Sequence, residues 1–480
     1  MDTDTKVNIK TPSLIVSLIP IFAVIILLLS SLFVFHVDIQ IPLIIATVVA
    51  SLISVVYLGN SWNEIEQGIF DSIQSAMQAI LIACIIGLII ASWIIGGIVP
   101  TIIYYGLKLL SPNFFLVTCL VISAVVGIST GSSWTTCGTI GIALIGIGMG
   151  LGIPPEVTAG AVISGAFVGD KMSPFSDTTN LAPAVSGTTL FVHIKNMMWT
   201  TMTSFILAGI IFQIINFRYT ASKIDQGTVD LITRALDKSF NINVFLMLPV
   251  VIIIIIMVKQ APAIPGLLFS VLLGLICAVI FQHADISTIG KALQYGYVAN
   301  TGNKMVDNLL SRGGMQNMMW TVSLIFCSLS FGGVMERSGM LKSIAKGIMK
   351  LARNNALLII CTMVTSICVI LTTGEQYLSI LITGKMYKNE YHNRGLAPQN
   401  LSRALEDAGT ITSPLIPWST CAVAVSTYMG VSPLKYLPYC FMNLLNPIVA
   451  SIFAIVGFKV IKLNKDQNQK IGGYYERRQN

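Results

Sequence analysis

The feature that most constrains this chain is its set of long apolar runs. A run of about 20 residues crosses the hydrocarbon core of a bilayer as a helix. Such runs occupy approximately residues 14 to 35, 41 to 59, 76 to 98, 196 to 216, 243 to 259, 264 to 281, 316 to 335 and 436 to 460. Hydrophobic residues are 54% of the 480 and charged residues 10%, which excludes a water-soluble protein. The sequence therefore predicts an all-α polytopic membrane protein.

Four further apolar stretches are interrupted by polar residues. They are residues 113 to 150, 154 to 186, 355 to 388 and 398 to 429, with breaks at 129–133, 169–180, 372–376 and around 413–417. Irregular backbone at membrane depth is tolerated only where it lies inside protein or lines a cavity. Interrupted helices in corresponding positions of two halves indicate the binding site of a transporter.

Short sequence matches indicate an internal duplication. The matched pairs recur in the same order about 240 residues apart: Met77-Gln78 and Met315-Gln316, Gly96-Gly97 and Gly332-Gly333, Thr130-Gly131 and Thr373-Gly374, Ser173-Pro174 and Ser413-Pro414. We expect a first transmembrane repeat at 1–216, a polar linker at 217–241, a second repeat at 242–460 and a basic cytoplasmic tail at 461–480. Each repeat should hold about five spans, a re-entrant hairpin and a broken helix. Because that number of crossings is odd, the two repeats should be inverted.

Charge sets the predicted topology. Lysine and arginine residues flank the stretch 355 to 388 on both sides, so both of its ends should be cytoplasmic and the stretch should enter and return as a hairpin. The net charge of +8 lies in loops and in the tail, and it indicates orientation in the membrane and not a nucleic-acid site. Residues 60 to 72 carry only acidic charges and are expected to form a loop.

The candidate site is the set of polar residues at the four breaks. Carboxylates inside a membrane span are functional by default, and carboxylate and hydroxyl oxygens suit a hard cation. In the first half the candidates are Thr130, Ser132, Ser133, Asp170, Lys171, Ser173, Ser176, Asp177, Thr178, Thr179 and Asn180. In the second half they are Thr373, Glu375, Gln376, Asp407 and Ser413. Half-helix C-termini should add free carbonyl oxygens for a cation. No cofactor and no structural metal are expected.

Several of these charges have a second interpretation. Lys171 forms either a structural ion pair with its neighbour Asp170 or a gate that a proton can displace. Glu406 and Asp407 lie near a possible cytoplasmic helix start, where acids stabilise the first turn, so we expect one of them to be a helix-end or surface charge. His193 precedes an apolar run and is expected at the membrane interface.

No catalytic motif competes with transport. The sequence has no phosphate-binding lysine loop, no HExxH motif and no nucleophilic serine in a strand–turn–helix setting, so we expect no enzyme. The nine cysteines include no CxxC pair and are expected to be small core residues.

The polar segments resemble a known family. The segments Gly169-Asp170-Lys171-Met172-Ser173-Pro174-Phe175-Ser176-Asp177-Thr178-Thr179 and Gly127-Ile128-Ser129-Thr130-Gly131-Ser132-Ser133-Trp134 resemble the NhaC family of bacterial sodium/proton antiporters. The segment from Glu406 to Trp418 extends this resemblance through the second half. The resemblance implies a secondary carrier in the plasma membrane of a bacterium. Some NhaC-like proteins resemble malate/lactate exchangers or amino-acid carriers.

The sequence thus predicts a sodium/proton antiporter that uses one shared carboxylate site by alternating access. The alternative is a sodium- or proton-coupled carrier or exchanger of a small organic anion, of the malate/lactate type, or of an amino acid. The expected partners are sodium ions, protons and the lipid bilayer, with a small organic substrate and a homodimer left open and no nucleic acid. A cavity much larger than a dehydrated ion, lined by Thr130, Ser133, Trp134 and Trp418, would favour the organic substrate.

Overall fold

The chain is helical almost throughout. The computed structural model describes residues 12–35, 37–221, 226–259 and 262–463. Within these ranges there is no β-strand, and the one extended pairing is an isolated antiparallel bridge between Leu396 and Lys462. The predicted all-α fold is confirmed. Residues 464–480 of the predicted cytoplasmic tail lie outside the described ranges.

The helices of the described residues follow each other in two series. The first series is α1 (Leu14–Ser30), α2 (Gln40–Leu52), α3 (Trp62–Ser75), α4 (Met77–Ile95), α5 (Ile98–Leu109), α6 (Phe115–Thr130), α7 (Ser133–Thr136), α8 (Ile142–Gly150), α9 (Pro155–Met172), α10 (Asp177–Ser186) and α11 (Leu190–Ala221). The second is α12 (Gln226–Ser239), α13 (Leu248–Val258), α14 (Ala263–Ile280), α15 (Ile286–Tyr295), α16 (Lys304–Leu310), α17 (Met315–Arg337), α18 (Met340–Met349), α19 (Asn355–Thr373), α20 (Gln376–Asn393), α21 (Pro398–Leu405), α22 (Thr420–Met429), α23 (Pro433–Tyr436) and α24 (Phe441–Val456). Short π-helical turns extend α1 and α2, lie between α7 and α8, and follow α21 at Glu406–Thr410.

Many of these helices are long and apolar enough to cross a membrane. Among the described residues seven pass by length and composition, and nine pass if each of two sharply bent pairs is one span. The seven are Gln40–Tyr57, Met77–Ile95, Pro112–Thr130, Ser133–Gly150, Leu190–Tyr219, Met315–Arg337 and Asn355–Thr373. The chain is therefore a multi-pass membrane protein, as its apolar runs predict.

The four predicted breaks are real interruptions of helices. α6 ends at Gly131 and α19 ends at Gly374, and both glycines have a φ of 67°. This left-handed conformation suits glycine because a Cβ atom would clash with the backbone there. At both breaks a threonine hydroxyl bridges the turn: Thr130 donates to the carbonyl of Ser132 at 3.3 Å, and Thr373 donates to that of Glu375 at 3.4 Å. The two breaks therefore share one local geometry.

Other helix ends repeat between the halves at the spacing of these two glycines. The repeated features are a proline first residue at Pro155 and Pro398, a serine N-cap at Ser176 and Ser419, and a left-handed glycine C-cap at Gly187 and Gly430. Two sequence matches were out of register. Gly97 shares its backbone conformation with Gly339 and not with Gly333, and Ser173-Pro174 lies 240 and not 243 residues before Ser413-Pro414. These repeats support the predicted duplication, while the inversion of the halves stays a prediction.

Small residues fix the position of the first broken helix. α6 and α9 pack closely along their lengths. At their contact a Cβ atom on Gly127 would lie 2.9 Å from the Cα atom of Gly169, and one on Gly165 would lie 2.8 Å from the Cβ atom of Ser123. Small residues allow membrane helices to approach closely in this way. The approach holds the end of α9, and with it Asp170, against the break after α6.

Two regions that the sequence predicted to be a loop and a polar linker are helical. Residues 60 to 72 lie mostly in α3 and not in a loop, and the helix begins with a capping box in which Ser61 and Glu64 bond each other's backbone amides. The serine and glutamate three residues apart were a sequence signal for this start. In the predicted linker, the described residues continue α11 to Ala221 and form α12, whose Ile232 and Leu236 pack into the main hydrophobic core.

The predicted hairpin at 355 to 388 can be tested by labelling. α19 and α20 pack against each other after the break at Gly374. In a protein without its native cysteines, we expect Lys346→Cys and His392→Cys to react with an impermeant thiol reagent from the same side, the cytoplasm. Reaction from opposite sides would show that this stretch crosses the membrane once.

Candidate ion-binding site

A cavity opens onto the first broken helix. Its volume is about 690 Å³. Its wall includes seven predicted site residues, namely Thr130, Ser132, Asp170, Ser176, Asp177, Thr178 and Gln376. Two aromatic side chains that sequence reasoning did not select for its wall, Phe175 and Tyr377, also line it. Of the four residues expected around a large cavity, Thr130 and Trp134 line this one, whereas Ser133 and Trp418 are not part of its wall.

Asp170 is the buried carboxylate of this cavity. Its side chain is 6% exposed. One carboxylate oxygen accepts hydrogen bonds from the backbone amide of Ser133 at 3.1 Å and from the Ser133 hydroxyl at 2.7 Å. Ser133 is the first residue of α7, so the amide comes from the start of a helix that follows the Gly131 break. Hydrogen bonds of this kind stabilise the ionised form of a carboxylate.

The charge of the cavity wall is negative. Asp170 and Asp177 both line the cavity, and none of the described residues in its wall is lysine, arginine or histidine. Asp177 is exposed and accepts one long hydrogen bond, of 3.4 Å, from the hydroxyl of Tyr377. A water-accessible cavity with two carboxylates and no basic group favours a cation over an anion.

Side chains of the polar segment 169–180 donate hydrogen bonds to backbone carbonyls at this break. The hydroxyl of Thr179 donates to the carbonyls of Asp170 and Lys171, at 3.1 and 3.0 Å. Ser173 donates to the carbonyl of Ile128 at 2.7 Å, and the exposed Asn180 donates to the carbonyls of Pro174 and Ser176 at 2.8 Å each. The carbonyls of Asp170 and Lys171 at the end of α9 are therefore occupied by a side-chain donor and are not free, contrary to expectation for these two.

Lys171 forms an ion pair with the opposite half of the protein. Its ammonium group contacts Asp407, and both side chains are fully buried. The same oxygen of Asp407 accepts from the hydroxyl of Thr200 at 2.9 Å and from the side-chain amide of Asn446 at 3.0 Å. The sequence suggested Asp170 as the partner of Lys171, whereas the structure pairs Lys171 with Asp407. The gating role stays a prediction.

Arg403 is a second buried cation beside Asp407. Its Nε atom lies 3.8 Å from the other carboxylate oxygen of Asp407, and its side chain is 1% exposed. Its guanidinium also donates to the side chain of Asn196 at 3.3 Å and to the backbone carbonyl of Lys459 at 3.1 Å. One turn of α21 separates Arg403 from Asp407 and brings both to the same face. Sequence reasoning missed this arginine because it was placed at a cytoplasmic helix start.

Glu406 and Asp407 are both fully buried. The expectation that one of them is a helix-end or surface charge is therefore wrong. They lie in the π-helical turn Glu406–Thr410, inside the protein and between the two pieces of the second broken helix. Within the described chain neither carboxylate oxygen of Glu406 has a hydrogen-bond partner. The two adjacent acids inside an apolar stretch were the sequence signal for this site.

The break between α19 and α20 contributes an acid that caps a helix. Glu375 is 1% exposed and caps α20, accepting from the backbone amide of Tyr377 at 3.3 Å and from the hydroxyl of Thr420 at 2.9 Å. These bonds also join the break to the start of α22. Thr373 and Ser413 are fully buried, and the hydroxyl of Ser413 has no partner among the described residues.

His193 lies inside the protein and not at the interface. Its side chain is fully buried and its Nδ1 atom is 2.8 Å from the hydroxyl of Ser402. Since Ser402 precedes Arg403 on α21, this contact ties α11 to the helix that carries the buried ion pair. The interfacial prediction for His193 is therefore wrong.

Comparison with known proteins identifies the family. The model of the Na+/H+ antiporter family matches residues 3–179 and 165–458. The chain belongs to the Na+/H+ antiporter family. The predicted relationship to NhaC proteins is confirmed, and the proteins of this family are transporters and not enzymes.

Relatives named for different substrates match the chain over most of its length. The chain is 39% identical to the Na+/H+ antiporter NhaC of Alkalihalophilus pseudofirmus, over 92% of this chain and 96% of that protein. It is 32% identical to the malate-2H+/Na+-lactate antiporter of Bacillus subtilis, over 96% of this chain and 98% of that protein. It is also 34% identical to the arginine/ornithine antiporter ArcD of Halobacterium salinarum, over 96% of this chain and 95% of that protein.

The buried pair between Lys171 and Asp407 generates a stability prediction. Removing one member of a buried ion pair costs about 3–5 kcal/mol, because the other charge is left without a partner. We expect Asp407→Asn and Lys171→Gln each to lower the melting temperature of the purified protein in detergent. The double variant should melt at a higher temperature than Asp407→Asn, because it leaves only Arg403, and not both Lys171 and Arg403, without Asp407. Additive losses in the double variant would contradict a direct pair.

Proposed function

We propose that this protein exchanges sodium ions for protons across the plasma membrane of a bacterium, with Asp170 as the ion-binding carboxylate. The observation that carries this proposal is the buried Asp170 in a cavity whose described wall has two carboxylates and no basic residue. Its relatives in the Na+/H+ antiporter family support the same exchange.

The contacts of Asp170 suit an ion that competes with a proton. The two hydrogen bonds from Ser133 favour the ionised carboxylate, which attracts a sodium ion. A proton on the same carboxylate removes the charge and with it the attraction for sodium. Nearby hydroxyls of Ser176 and Thr178 line the same cavity and can supply further oxygen ligands. One site that holds either ion couples the two fluxes.

Coupling also requires that the site face one side of the membrane at a time. The ion pair between Lys171 and Asp407 joins the broken helix α9–α10 to the broken helix α21–α22. A movement that shifts one half against the other would carry Asp170 with α9. Alternating access of this kind is our proposal for how the cavity exchanges its ions between the two sides.

A cationic amino acid is the second candidate substrate. The cavity of about 690 Å³ is far larger than a dehydrated sodium ion and lies in the size range of small-molecule sites. Its negative wall suits an amine or a guanidinium group better than malate or lactate, which would meet two carboxylates. The chain resembles the arginine/ornithine antiporter and the malate-2H+/Na+-lactate antiporter to nearly the same degree, so the charge of the cavity wall is what favours this class of organic substrate.

Neutralising the two carboxylates should have unequal effects. Asp170→Asn should lower sodium-dependent proton movement in liposomes by about 100-fold, since the ion loses its charged ligand inside the membrane. Asp177→Asn should act mainly by raising the sodium concentration needed for half-maximal rate, because this acid is exposed at the cavity wall. Equal insertion and melting temperature of both variants is the control. Wild-type exchange in Asp170→Asn would remove Asp170 from the site.

Sodium and protons should compete in binding. If one proton excludes one sodium ion, the apparent sodium affinity must fall about tenfold for each pH unit below the pKa of the binding carboxylate. By the same linkage, saturating sodium must make that carboxylate lose its proton at lower pH. Sodium binding to purified protein between pH 5 and 9 measures this. An affinity independent of pH would count against a shared site.

A direct comparison of substrates separates the two candidates. Proteoliposomes loaded with buffer at one pH should respond to an external sodium pulse with proton movement and give no response to malate or lactate. Arginine and ornithine form the third arm of the experiment. Transport of these amino acids without any sodium-dependent proton flux would replace the first proposal by the second.

A further inference from the structure

The buried Glu406 has no part in the site described so far. It lies in the π-helical turn after α21, and its side chain has no exposed surface. The hydroxyls of Thr178 and Thr410 lie beside it as its potential donors. Among the described residues, however, no contact to either carboxylate oxygen has standard hydrogen-bond geometry, and the hydroxyl of Thr410 is buried without another partner. Two threonine hydroxyls are therefore the potential donors to this carboxylate.

The surroundings of Glu406 differ from those of the adjacent Asp407. The adjacent Asp407 has Lys171, Arg403, Thr200 and Asn446 as partners, so its charge is compensated. Among the described residues, Glu406 forms no ion pair or hydrogen bond with any of these four side chains. A buried carboxylate without an ion pair is costly, and such groups take up a proton or a cation.

The charged groups around Glu406 come from several helices. α9 contributes Lys171 and Asp170, and α21 contributes Arg403 together with the adjoining Asp407. His193 of α11 contacts α21, and the tyrosines of α20, Tyr387 and Tyr391, pack beside α19. Lys171 is the cation that acts on Glu406 directly, and Asp170 is the acid that acts on it. A change of charge at Asp170 would therefore act on Glu406.

Buried hydroxyls lead away from this turn. Ser379 lies against Gly409 and donates to the backbone of Ser366 at 2.8 Å. Farther along the pair α19–α20, Thr365 and Thr362 contact the hydroxyls of two tyrosines at 2.8 and 3.0 Å. Between them, the hydroxyls of Ser366 and Thr383 are buried without partners in the described chain. From Ser379 to Tyr391 this row extends about 18 Å along α20, at 1.5 Å per residue.

We infer that Glu406 is a second, proton-carrying carboxylate of the exchanger, distinct from the sodium site at Asp170. This inference rests on the proposed sodium–proton exchange. A sodium ion that arrives beside Asp170 adds a positive charge and favours the ionised form of Glu406, whose proton then leaves to water. When the sodium ion departs, Glu406 takes up a proton from water again. The row of hydroxyls on α19 and α20 offers the path for this proton.

The test separates proton coupling from sodium binding. Glu406→Gln keeps the shape and removes the titrating proton, Glu406→Asp restores a carboxylate, and Asp407→Asn is the matched control at the next residue. Two quantities are measured for each protein: the protons released when sodium is added to purified protein, and the exchange of labelled sodium for unlabelled sodium in liposomes. Melting temperature in detergent reports on folding.

We expect Glu406→Gln to release at least twofold fewer protons per bound sodium while it retains sodium–sodium exchange and melts at or above the wild-type temperature. Glu406→Asp should recover part of the proton release, and Asp407→Asn should melt at a lower temperature. Unchanged proton release in Glu406→Gln would overturn the inference. Loss of sodium–sodium exchange in both Glu406 variants would also overturn it, by placing Glu406 in the sodium site. A wild-type protein without sodium-dependent proton release would overturn the proposed function itself.

Discussion

The buried ion pair between Lys171 and Asp407 organises the centre of this protein. It joins two broken helices that lie more than 200 residues apart in the sequence, and both side chains are completely buried. Such a pair is stable only with additional hydrogen bonds, which here come from Thr200 and Asn446 on two further helices. The pair therefore fixes where four helices meet. Asp170 precedes Lys171, so the same contact determines where the cavity carboxylate lies.

Three buried acids near this pair differ in their surroundings and hence in their chemistry. Asp407 is surrounded by cations and amide donors, so it serves the structure. Asp170 accepts from a helix start and faces a cavity, which suits a carboxylate that binds an ion. Glu406 forms no ion pair and has only the hydroxyls of two threonines beside it, which suits a group that gains and loses a proton. The three acids differ because the number and the charge of the donors around each carboxylate differ.

Much of the fold and part of the site could be predicted from the sequence. Four of the eight apolar runs, near 41, 76, 196 and 316, coincide with helices long and apolar enough to cross a membrane. The glycines at 131 and 374 marked breaks that the structure shows with one shared geometry. The polar segment from Asp170 to Thr179 was correctly predicted to interrupt a helix. The partner of Lys171, the burial of Glu406 and the presence of Arg403 were not predicted. Each depends on which helices become neighbours, and local patterns carry no information on that.

The sequence by itself determined the environment of the chain, because hydrophobicity and the length of an apolar run decide whether a helix enters a bilayer. It also determined where helices break, since a left-handed turn at glycine is a local property of the backbone. Only the tertiary structure decided which buried acid forms an ion pair and which does not. That distinction follows from contacts across the two halves of the chain. Lys171 is next to Asp170 in sequence, but it pairs with Asp407, which lies 236 residues away.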